Sequence, residues 1–100
     1  MKLNKKFWEN TATNKKNLLE NLFEDEKQQL SNNISALLLE LMQQEHITPA
    51  ELSRRLDSSR ASVSNTLKPG RNMTLQTLVK YLRVLGYRVR LEVERIDPLP

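Results

Sequence analysis

The chain has 100 residues, 16 Lys and Arg against 12 Asp and Glu (net charge +4), 38% hydrophobic content and two glycines. That length supports one domain with a single modest core, and the composition is that of a helical globular chain rather than a disordered one. Without cysteine there is no disulfide framework and no thiolate metal cluster. No apolar run reaches membrane-spanning length, and residues 1–8 lack a signal-peptide core, so a cytoplasmic protein is expected.

Residues 1–30 read as an N-terminal helical extension. Phe7 and Trp8 are the clustered aromatics, and residues 11–14 (Thr-Ala-Thr-Asn) read as a loop or cap. Leu18, Leu19, Leu22 and Phe23 recur at helical spacing, which predicts an amphipathic helix over 17–29. Such stripes usually bury within their own chain, so this helix and Trp8 are expected to pack onto the domain. The alternative is a docking arm in which Phe7, Trp8, Leu18, Leu22 and Phe23 meet another protein.

Ser31 can cap a helix running to about residue 45, with Ile34, Leu37, Leu38, Leu41 and Met42 on its apolar side. His46, the only histidine, stands at that helix's end, where a cation suits the dipole. A single histidine without clustered carboxylates makes neither a metal site nor a triad.

The next stretch, 48–70, organises the rest. Thr48 and Glu51 form a capping box, Pro49 takes the first helical position, and Ile47 and Leu52 are placed as a hydrophobic staple. Asp57-Ser58-Ser59 makes a tight corner, with Asp57 able to adopt a left-handed conformation and Ser59 to cap a second helix over 60–68. Val63 and Leu67 are the packing face of that helix. Arg60, Ala61, Ser62, Ser64, Asn65 and Lys68 lie elsewhere on it. Short polar side chains flanked by cations let a helix enter a major groove, where Arg and Asn can each bond base edges bidentately. Pro69-Gly70 stops the helix. Arg71-Asn72-Met73 is a loop, Thr74 caps a helix over 75–85 with a Leu75, Leu78, Val79, Leu82, Leu85 stripe, and Gly86 ends it.

Charge follows this organisation. Residues 48–90 carry nine cations and two acids, a net of +7, whereas residues 1–30 carry a net of +1. A basic field on such a motif fits a polyanionic partner.

From about residue 34 to 86 the chain resembles the phage-repressor and Cro type helix-turn-helix domain, the Xre family, through Leu52, Ser53, Leu56, Ser59, Val63, Leu67, the run 74–78 and the run 82–86. Two positions depart from the pattern. Asp57 stands where the corner usually has Gly, and Thr66 where a bulky apolar residue is common. The resemblance implies a mainly α, lambda-repressor-like bundle of four to five helices, with the helix-turn-helix DNA-binding domain over 31–86 and one C-terminal β-strand pairing across a dimer. It also implies base contacts from Arg60 and Asn65 with Ala61, Ser62 and Ser64 close by. Thr48, Ser59, Lys68 and Arg71 would meet phosphates.

After Gly86 the period changes to two. Tyr87, Val89, Leu91 and Val93 alternate with Arg88, Arg90, Glu92 and Glu94, the pattern of a half-buried strand over 87–96, followed by a tail at 97–100. A lone strand needs a partner for its N–H and C=O groups. A twofold pair of identical strands runs antiparallel. With Leu91 opposite its own copy, Val89 meets Val93, Arg90 meets Glu92 and Arg88 meets Glu94. Centring on Arg90 or Glu92 instead opposes like charges.

The expected function is a homodimeric, sequence-specific repressor of a palindromic double-stranded DNA operator. Small size and the terminal strand look like antitoxins of toxin–antitoxin operons, with a toxin as second partner. A phage-type regulator without a toxin, and a protein-interaction module using the helix-turn-helix as scaffold, are the alternatives. No phosphate loop, carboxylate pair or activated nucleophile points to an enzyme, and no cofactor, metal or membrane partner is expected.

Overall fold

The computed structural model describes the backbone of residues 5–96 and the side chains of residues 17–96. Among them are four helices: α1 (Lys5–Gln44), α2 (Pro49–Leu56), α3 (Arg60–Leu67) and α4 (Leu75–Leu85). α2 packs on α3 and α4, and the C-terminal part of α1 packs on α3 and α4. The core is Leu38, Met42, Ile47, Leu52, Leu56, Val63, Leu67, Tyr81, Leu82 and Leu85.

α1 is one helix where the sequence suggested two. Its 40 residues extend about 60 Å at 1.5 Å per residue, most of the 68 Å long axis of the molecule. Thr11-Ala12-Thr13-Asn14 contains weak helix formers but neither proline nor glycine, so nothing there stops the helix. Ser31 is therefore not an N-cap: the chain before it is already helical, and its hydroxyl donates to the Arg71 carbonyl instead. The expectation that the N-terminal stripe packs onto the domain is also overturned. Leu18 and Phe23 are 59% and 64% exposed, and Leu22 and Leu30 are exposed as well, because this part of α1 runs out beyond the bundle. Phe7 and Trp8 lie outside the described side chains.

Three chain turns share one geometry. His46 (φ 56°), Asp57 (φ 52°) and Gly86 (φ 95°) are each left-handed just past a helix. In each case the following N–H bonds five residues back: Ile47 to Met42, Ser58 to Ser53 and Tyr87 to Leu82. This is the Schellman closure, and only one of the three uses glycine. Asp57 thus fills the corner position by adopting the conformation that glycine takes without strain.

The N-caps follow the sequence. The side chains of Thr48, Ser59 and Thr74 accept the N–H groups of Glu51, Ser62 and Thr77. The capping box is half made, since Glu51 turns its carboxylate to Arg54 and Arg55. α3 ends at Leu67, with Lys68 as its extended cap. The α4 stripe is rotated from expectation: Tyr81, Leu82 and Leu85 are buried, while Leu75 and Val79 face out.

Residues 87–96 make no ladder, and no strand occurs among the described residues. A single strand in a single chain has nothing to pair with. The alternation itself is present at its start: Tyr87 and Val89 are half-buried against the core while Arg88 and Arg90 are exposed. Beyond the body, Leu91 and Val93 are 89% and 84% exposed.

Candidate nucleic-acid interface

α3 is anchored from behind. Val63 and Leu67 are buried, which leaves the rest of the helix outward. Arg60, Ala61, Ser64 and Asn65 are exposed along one side of that buried edge, with Lys68 one further turn along. These positions are spaced i, i+1, i+4, i+5 and i+8, so they form one strip along the helix. Ser62 is also exposed, but its carbonyl accepts the Thr66 hydroxyl at 2.9 Å. That bond explains how a small polar residue serves at position 66: the hydroxyl is satisfied within its own helix.

Thr48 and Ser59 both stand exposed at helix starts. The Ser59 hydroxyl accepts the Ser62 N–H at 3.1 Å, and the Thr48 hydroxyl accepts the Glu51 N–H at 3.2 Å. The remaining first-turn N–H groups carry the positive end of the helix dipole, the usual setting for a phosphate oxygen.

Lys68 and Arg71 lie on the α3–α4 loop, and that loop is held from α1. Ser35 donates to the Lys68 carbonyl at 3.2 Å and Ser31 to the Arg71 carbonyl. Gly70 lies between them with φ 80°. That backbone angle is the one glycine takes without strain, and the flexible tip of the Gln28 side chain reaches over it from α1. Beside the loop, Asn65, Arg71, Asn72, Thr74 and Thr77 line a hollow of about 180 Å³. Asn72, read from sequence as part of a loop, thus borders the candidate interface, and Thr74 and Thr77 join it there without having been read as DNA contacts; the cap at Thr74 was the available signal.

Not every cation of the basic field is free. Arg55 donates to Glu51 and, at 3.0 Å, to the Val84 carbonyl, bracing α2 against the end of α4. Arg54 also pairs with Glu51. The Arg55 and Arg54 guanidinium groups hold the Glu51 carboxyl below its usual range. Just past the same end of α4, the Tyr87 hydroxyl donates to Glu45 at 2.7 Å. That bond, with burial, raises the phenol's pKa.

An anchored helix with an outward polar strip, two capped N-termini beside it and a buttressed basic loop define a helix-turn-helix DNA-binding protein. The Cro/C1-type HTH DNA-binding domain matches residues 38–90, more than half of the chain, and the chain belongs to that family. No curated protein and no solved structure matches it. No helix among the described residues is long and apolar enough to cross a membrane, and none of their His, Asp and Glu side chains form a group able to hold a metal.

Proposed function

We propose that the protein is a homodimeric transcriptional repressor that reads a palindromic operator through α3, with Arg60 and Asn65 on base edges. Ala61, Ser62 and Ser64 lie close to the bases, and Thr48, Ser59, Lys68 and Arg71 lie on phosphates. The observation that carries this reading is the α3 strip, exposed along its whole length while Val63 and Leu67 are buried behind it. Dimerisation is assigned to 87–94, whose unpaired backbone and exposed Leu91 and Val93 suit pairing with a second copy. A gel shift with the DNA upstream of the protein's own gene tests the reading. Retarded DNA that resists random competitor supports it, and loss to equal random competitor removes the sequence-specific part.

Within this class the finer reading is an antitoxin that represses its own operon and neutralises a toxin. The outward stripe of Leu18, Leu22 and Phe23 supports it, since an apolar helix face left in water suits a protein partner. A phage-type regulator without a toxin is the second reading, and it leaves that stripe unexplained. Co-expression with the adjacent gene product separates them: an antitoxin restores growth that the neighbour alone arrests.

A further inference from the structure

We infer that the tail of a second copy docks on the outer face of α4, with the partner's Val93 seated in the hollow between α4 and the start of the tail. This rests on the dimer reading above and adds a surface to it. The hollow, of about 220 Å³, is lined by Val79, Arg83, Tyr87, Arg88 and Val89. Val79 is 47% exposed at its rim, an apolar side chain left in water.

The occupant follows from register and pleat. Tyr87 and Val89 are half-buried against the body, while Arg88 and Arg90 are exposed, Arg88 at the rim of the same hollow. Side chains alternate along a strand, so Leu91 and Val93 continue the body-facing side with no body beneath them. In an antiparallel pair, directly opposed residues project to the same face. With Leu91 on the twofold axis, the partner's Val93 stands opposite Val89 and therefore faces this copy's body. On the edge nearest α4 it comes down over Val79. Two steps further, the partner's Arg95 stands opposite Tyr87 on that same face. Tyr87 holds the Glu45 carboxylate at 2.7 Å, so the partner's cation arrives beside an anion already fixed in place. The outward face is matched as well, with Arg88 and Arg90 against the partner's Glu94 and Glu92. One placement thus covers the exposed Leu91, Val93 and Val79 and pairs every charge of the tail from Arg88 to Arg95. By twofold symmetry it does so twice.

The chain has no cysteine, so the test can use introduced thiols in the full-length protein. Val79→Cys and a size-tagged Val93→Cys protein are mixed, allowed to exchange, and treated with a short bismaleimide. Leu91→Cys treated alone reports on the ribbon itself. The expected result is a mixed covalent dimer from the first reaction and a homodimer from the second. A Leu91→Cys homodimer without the mixed product leaves the ribbon standing and overturns the docking on α4. No product in either reaction overturns both. A Val79→Cys/Val93→Cys double variant linked within one chain places the tail over its own α4 and overturns the docking. In parallel, Arg95→Glu should weaken dimerisation about tenfold by sedimentation equilibrium, and adding Glu45→Arg should restore it. A charge swap without rescue removes that contact.

Discussion

Ser35 on α1 donates a hydrogen bond to the carbonyl of Lys68, the residue that caps α3, at 3.2 Å. With the Ser31 bond to Arg71 one helical turn away, it fixes the loop that carries two candidate phosphate contacts to the longest helix of the molecule. Removing Lys68 or Arg71 should weaken binding to every DNA sequence and lower the salt slope by about 1 each. Ser35→Ala should cost about 1 kcal/mol of stability and also weaken binding to random DNA. An unchanged salt slope in both cation variants takes the loop off the DNA.

Arg60 opens the strip on α3 and is exposed. If it reads a guanine, Arg60→Ala should cost about 1–3 kcal/mol on the operator and relax selection at one base pair. Binding titrations against the operator and a scrambled duplex decide this. Equal loss on both assigns Arg60 to a phosphate.

His46 holds φ at 56°, as the left-handed residue that closes α1. Such a conformation costs a non-glycine residue about 1–2 kcal/mol. His46→Gly should therefore raise stability by roughly 1 kcal/mol, a melting shift of about 4–8 °C for a domain of this size. Asp57→Gly should gain less, because Asp tolerates this region better. A lower melting temperature for His46→Gly would mean that the imidazole holds a contact worth more than the strain it relieves.

Truncation tests the new place of the N-terminal stripe. Leu18, Leu22 and Phe23 are exposed, whereas Gln28, Ser31 and Ser35 touch the basic loop. A protein beginning at Glu26 should keep its fold and its DNA binding. It should fail to neutralise a toxin if the stripe is the docking arm. Global unfolding of the shortened chain would show that the stripe is covered in solution.

These expectations mark where the sequence was readable. Thr48, Ser59 and Thr74 were legible as caps because their hydroxyls act on N–H groups three residues away, and Gly86 because glycine favours the left-handed turn. Arg60 to Asn65 could be placed on α3 because Val63 and Leu67 fix which side is buried. The continuity of α1 was hidden, since a stretch of weak helix formers resembles a break when the helix has strong neighbours on both sides. Whether Leu18 and Phe23 are covered depends on how far the bundle reaches along α1, which no local pattern encodes. The burial of Tyr81 in place of Val79 is likewise a matter of how α4 packs on α1 and α2.

The tail is the reverse case: its alternation is clear in sequence, and no strand forms among the described residues of the single chain. Tyr87 and Val89 lie against the body, and Leu91 and Val93 extend past it. Pairing two copies about Leu91 sets Arg90 against Glu92 and Arg88 against Glu94, and opposed residues of an antiparallel pair lie about 4.5–5.5 Å apart between Cα atoms. Leu91→Cys should therefore form a disulfide on mild oxidation, because that separation is within reach of the bond. The covalent dimer should still bind the operator, since the link lies at the axis and leaves both α3 helices free to sit about 34 Å apart in successive major grooves. Arg90→Glu should weaken the dimer by placing like charges opposite each other, and Glu92→Arg in the same chain should restore it. Non-reducing electrophoresis reads the first result and sedimentation equilibrium the second. A Leu91→Cys protein that stays monomeric under oxidation, together with a charge swap that rescues nothing, would leave the tail without a second copy and turn it toward a different chain.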